Sequence, residues 1–155
     1  MTRDVSIPAS PRSASGIECM PHDDCVTFLS STSTVGRLAF QSAKGQQLLP
    51  VNFVFRHGQV YFKTSPESVL AELAAGCPDV AFEIDYPSRL TQHGWSVLVV
   101  GKTREVDAAD VDLSPREPRP WVAGVREILI ELTPTRITGR RIRNVPERRE
   151  PALHR

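Results

Sequence analysis

Residues 60–73, VYFKTSPESVLAEL, gather one cation and three hydroxyls where a strand-like segment runs into a helix-like one. Lys63, Thr64, Ser65 and Ser68 could hold an anion there. The first turn of a helix exposes N–H groups without intrahelical partners, together with the positive end of its dipole. The same residues also suit a plain helix start. Ser65 is a good N-cap, Pro66 fits the first helical position, and Val69, Leu70, Leu73 and Ala74 recur at helical spacing up to Gly76. Glu67 favours this second reading, because its carboxylate would occupy the favourable field and repel a phosphate. Local chemistry leaves two choices for this stretch: a phosphate cradle, or a capped helix over 66–75.

The other reactive residues offer less. Cys19, His22 and Cys25 can be drawn as a metal corner, but they supply three ligands beside a Ser- and Pro-rich segment, so no metal is expected. With Cys77 they make an odd set without CxxC spacing, consistent with reduced thiols in a cytoplasmic protein. His57, His93 and His154 are scattered, and Asp23 and Asp24 lie at a helix start, where the macrodipole accounts for them. The chain contains no GxSxG elbow, HExxH pair, Walker A loop or GxGxxG run. Any catalysis would therefore need a cofactor to carry it.

The elements that must position these groups follow from the hydrophobic period. Residues 21–31 read as a short helix with Cys25, Phe28 and Leu29 on one side. Strands are expected at 34–41, 46–55, 60–64 and 79–87, and a long one at 94–106 bent or bulged at Gly101. AKG (43–45) and RHGQ (56–59) read as tight turns. Residues 126–142 suggest a strong strand, a Thr-Pro turn and a last short strand, whereas 112–121 carries three prolines and cannot be regular. Six strands, hairpin turns and few helices predict a mainly β, antiparallel small barrel with flanking helices.

A chain of 155 residues with 40% hydrophobic content has room for one core. Its net charge of +1 gives no electrostatic argument for nucleic acid, and no apolar run is long enough to span a membrane. Residues 1–17 read as a disordered tail, 18–142 as the domain and 143–155 as a basic, solvated tail.

The ordered succession VGRLAF, LPVNFVF, VYFKT, VAFEID, GWSVLVVGKTREV and RITGRRI resembles the pyridoxamine 5′-phosphate oxidase-like flavoproteins of the FMN-binding split-barrel class, in their short actinobacterial-type branch. The resemblance spans roughly residues 20–142 and implies a six-stranded antiparallel split β-barrel. It also implies a homodimer with FMN at the subunit interface and an oxidoreductase activity on a small molecule. The cofactor-binding residues it implies are Pro50, Val51, Asn52 and Phe53 along the flavin ring, and Lys63, Thr64, Ser65 and Ser68 at the phosphate. Trp95 and Ser96 would come from across the interface. Arg37 would be pocket-lining or structural, and Trp121 would pin a loop over the cleft or merely anchor it. Catalytic residues are not identified. Glu67 stands where the family has glycine and Val69 where it has a basic residue, so one cation is lost and one anion gained. Losing one charge-assisted bond weakens phosphate binding by about one to two powers of ten. The alternatives of the same fold are a reductase using 8-hydroxy-5-deazaflavin, and a non-catalytic module for flavin or haem.

Overall fold

The computed structural model describes residues 16–31, 35–88, 93–113 and 127–142. Strand β1 (Ile17–Met20) leads into helix α1 (His22–Ser31), followed by β2 (Val35–Ser42), β3 (Gly45–Arg56) and β4 (Gln59–Thr64). A 3-10 helix (Val69–Ala75), β5 (Val80–Ser88), β6 (His93–Glu105), a single 3-10 turn (Ala108–Asp110) and β7 (Ile128–Ile142) complete the order. The expected tails, and the loop carrying Trp121, fall largely or wholly outside the described residues.

All strand pairings are antiparallel. The sheet runs β1-β7-β4-β3-β2-β5-β6, and β6 pairs back onto β7 to close a ring of six strands. The mainly β, six-stranded barrel expected from the sequence is thus observed. Strand β1 lies outside the ring, paired with the C-terminal end of β7.

Alternation explains the ring. Leu38 and Phe40, Val51 and Phe53, Val60 and Phe62, Val80, Phe82 and Ile84, and Val97 and Val99 all turn inward and are buried. Between them these side chains fill the barrel, so its interior is a packed core. Helix α1 lies across β3, β6 and β7 and buries Cys25 and Leu29. Gly139 admits it: a Cβ there would meet the Cys25 sulfur at 2.5 Å.

Two expectations need correction. The predicted Thr-Pro turn near 134 is absent, because β7 continues through it as one strand. Pro134 is accommodated opposite Gly101, where the register slips between Val100 and Gly101 and leaves Thr135 as the extra residue. A side chain at 101 would strike the Thr133 carbonyl, so glycine permits this close approach. The expected helix over 66–75 is also shorter and tighter. Ser68 N–H donates to the Ser65 carbonyl at 3.1 Å, closing a turn with Pro66 at its second position. Ser68, not Ser65, then caps the 3-10 helix, its hydroxyl accepting from Leu70 N–H at 3.2 Å.

Candidate functional site

The turn after β4 cannot be an α-helical anion site, since its helix is a seven-residue 3-10 segment that starts only at Val69. What the backbone does provide is a split. Strand β3 pairs with β4 only from Phe53 to Arg56, against Gln59 to Phe62. Before Phe53, β3 pairs with β2. Past Phe62, Lys63 and Thr64 pair with β7. The two strands therefore part at Phe53 and Phe62. Pro50, Val51 and Asn52 stand on one bank of the opening, and Lys63, Thr64 and Ser65 on the other.

Along the first bank the side chains alternate. Val51 and Phe53 are buried in the core, so only their backbone can face a ligand, while Pro50 is exposed and Asn52 half-buried. On the second bank Thr64 is turned inward and 7% exposed, which removes its hydroxyl from the outer face. Ser65 and Ser68 are half-buried. Ser68 uses a lone pair as a cap and keeps its O–H to donate.

Lys63 is the group that sequence reading treated too simply. Its Nζ lies 2.7 Å from Glu127 Oε2, with side-chain exposures of 14% and 34%. The cation assigned to a phosphate thus already holds a carboxylate. Glu127 falls within the strand expected over 126–142, but its contact is made across the β4–β7 ladder, which the sequence does not show.

Trp95 and Ser96 are elsewhere. Trp95 pairs with Arg141, whereas Lys63 pairs with Leu129, so the two stand twelve positions apart along β7. That is a contour of up to roughly 40 Å. Trp95 packs on Phe28 of α1 with ring centroids 4.3 Å apart and stacks toward Tyr86 at 6.4 Å. It is half-buried, with one face on the core. Arg37, opposite Pro50, is exposed and bonds Asp85 at 2.6 Å.

A second polar centre lies on the outer face of β4 and β7. The Glu131 carboxylate is 3% exposed and takes bonds from Tyr61 Oη at 3.0 Å and Arg104 Nε at 2.7 Å. The Gln59 amide, turned with its nitrogen toward the carboxylate, adds contacts at 2.9 and 3.0 Å. Burial, then the bond to Glu131, pushes the Tyr61 hydroxyl pKa up to about 12. This centre floors a cleft of about 350 Å³ that Asp107, Asp110 and Asp112 also line. Tyr61 alternates with the inward Val60 and Phe62, so it stands on the outer face, where Leu113 and Leu129 cover it.

The cysteine corner does not assemble. Cys19 is exposed on β1, and Cys25 is buried, its thiol pKa raised first by burial and then by Asp24. Among the described residues, no group of three His, Cys, Asp or Glu side chains could hold a metal, and no helix is long and apolar enough to cross a membrane.

The model of the Pyridoxamine 5'-phosphate oxidase family matches residues 21–141. The chain belongs to that family. It is similar to the uncharacterized protein Rv0080 of Mycobacterium tuberculosis, at 30% identity over 92% of this chain and 95% of that protein. Among solved structures, it resembles the FAD binding protein from Mycobacterium smegmatis at 31% identity and TM-score 0.67, covering 83% of this chain and 100% of that one. The FAD and heme binding protein from the same organism shares the fold at 13% identity and TM-score 0.61, over 85% of this chain and 76% of that one. Structural neighbours within this oxidase-like fold therefore include proteins that bind flavin.

Proposed function

We propose that this family member is a cytoplasmic, homodimeric flavoprotein oxidoreductase, with its flavin in the split between β3 and β4. The supporting observation is the parting of the strands at Phe53 and Phe62: β3 pairs with β4 only from Phe53 to Arg56, and its preceding residues, Pro50 to Asn52, pair with β2. A planar ring can lie along that backbone. Lys63, Ser65 and Ser68 would face the phosphate end. Bound flavin would supply hydride or electron transfer to a small-molecule substrate, and the protein would supply position and exclude water.

The distance along β7 supports the dimer. Lys63 and Trp95 stand at opposite ends of that strand, so one pocket uses both only if Trp95 and Ser96 come from a second copy. An outer apolar row supports such a contact. Leu48, Ala39, Ala81 and Val100 are in register across β3, β2, β5 and β6, and Leu48 is 66% exposed. The three cysteines are free thiols, which suits the reducing cytosol.

FMN is the leading cofactor. FAD, named for the 31% identical relative, would place its FMN half in the same split, and 8-hydroxy-5-deazaflavin would need only the ring edge and tail contacts. The Lys63–Glu127 pair also favours a second reading: a flavin or haem module that binds weakly and does not turn over. Titration of the purified protein with FMN, FAD and the deazaflavin, followed by flavin fluorescence and by size-exclusion chromatography, tests the reading. Saturable micromolar binding to a dimer supports it. No binding of any of them up to about 1 mM overturns it. Substrate-dependent bleaching of the bound flavin separates the enzyme from the carrier.

A further inference from the structure

We infer that Glu127 is a resident anion in the Lys63 site, which a ligand's phosphate must displace, so that this carboxylate discriminates against phosphorylated ligands. The inference rests on placing the ligand's phosphate end at Lys63. Three observations carry it. The Lys63 ammonium is mostly buried, and its Nζ is 2.7 Å from one Glu127 oxygen, the geometry of a charge-assisted hydrogen bond. Glu127 is more exposed than its partner and lies just before β7, so its carboxylate can turn into water at small cost, whereas Lys63 is fixed within the β4–β7 ladder. Glu67, in the adjoining turn, is exposed and brings no cation to offset Glu127.

The sign of the Glu127 charge gives the direction of the effect. Its carboxylate, bonded to Lys63, carries the same sign as an arriving phosphate of about −2, which is opposed until Glu127 leaves. A ligand ending in a hydroxyl meets no such opposition and can donate to the carboxylate instead. The site as it stands therefore favours a ribityl-type hydroxyl tail over a phosphate ester, relative to the same site without the Glu127 charge. Converting Glu127 to glutamine removes the resident charge and restores preference for the phosphate.

The test compares wild type, Glu127→Gln, Lys63→Met and the double variant in two assays. In the first, riboflavin and FMN are titrated against each protein by fluorescence. Glu127→Gln should raise the FMN-to-riboflavin affinity ratio about tenfold, and Lys63→Met should abolish that gain in the double variant. An unchanged ratio, or a gain that survives without Lys63, overturns the inference. The second assay needs no flavin. Thermal melting is followed with inorganic phosphate at constant ionic strength. Phosphate should stabilise Glu127→Gln more than wild type, and only while Lys63 is present. Equal phosphate shifts in wild type and Glu127→Gln overturn the inference whether or not any flavin binds. If no flavin binds but the Lys63-dependent phosphate shift appears, the flavin reading fails and the displacement of Glu127 stands.

Discussion

The outer face of the β4–β7 ladder carries two ionic centres only two residues apart. Tyr61 pairs with Glu131, and Lys63 pairs with Leu129 beside Glu127. They are built differently. Glu131 is 3% exposed and receives bonds from Tyr61, Arg104 and Gln59 on neighbouring strands and turns. Its lone pairs are committed, so moving it would strand several donors at once. Glu127 is a third exposed and bonds Lys63 through one oxygen. The comparison separates a charge that holds strands together from one that can be exchanged. Both are carboxylates on one ladder, and the number of bonds to each decides its role.

The sharpest way to break the comparison is to remove the carboxylate at each centre. Glu131→Ala leaves the buried Tyr61 hydroxyl without its acceptor and strips Arg104 and the Gln59 amide of their carboxylate, and should cost about 3 kcal/mol in urea unfolding. Glu127→Ala should cost less than about 1 kcal/mol, because its pair is partly hydrated. Equal losses would erase the distinction between the two centres.

Alkaline pH probes the first centre by itself. The Tyr61 pKa is raised to about 12 in the folded chain, against about 10 in the unfolded one. A group with a raised folded pKa contributes stability that is complete below the unfolded value and is lost as pH climbs through the folded value. The loss should therefore fall between pH 10 and about 12 and amount to on the order of 2 kcal/mol. Tyr61→Phe has no proton to lose. The gap between wild type and this variant should close across that window, and parallel curves would show that the hydroxyl is not held as described.

How much of this was legible in the sequence follows the same division. The barrel strands could be read because inward positions such as Val80, Phe82 and Ile84 obey a strict period of two, and burial enforces that period. β1 could not. IECM is four residues with no alternation, and it becomes a strand only because the end of β7 offers an edge. The 3-10 helix was read as α because Leu70 and Leu73 satisfy either period, while the turn closed by Ser65 and Ser68 depends on tertiary placement. Pro50 to Asn52 and Lys63 to Ser65, singled out from the sequence, flank the parting of β3 and β4, but Glu127 reaches Lys63 through space alone. Glu131 did carry a signal, a lone charge inside the apolar run ILIEL, which implies a buried partner without naming it.

A third pair, on the opposite side of the split, extends the comparison to its weakest member. Arg37 and Asp85 meet at 2.6 Å, but their side chains are 51% and 35% exposed. The carboxylate raises the arginine's pKa, first through the hydrogen bond and then through its charge. That shift has little bearing on folding, because solvent screens the pair. Arg37→Gln should therefore change stability by less than about 0.5 kcal/mol. Its effect on flavin is the informative quantity. Arg37 faces Pro50 across the β2–β3 ladder, so a guanidinium lining the ring would leave its mark as weaker FMN binding with an unchanged melting temperature. If neither quantity moves, Arg37 is a solvated surface residue and the ring end of the site is built from the β3 backbone alone. Binding and melting that fall together would instead make Arg37 a strap between β2 and β5, and would set the exchangeable pair at Lys63 apart from the Glu131 centre and the Arg37–Asp85 pair alike.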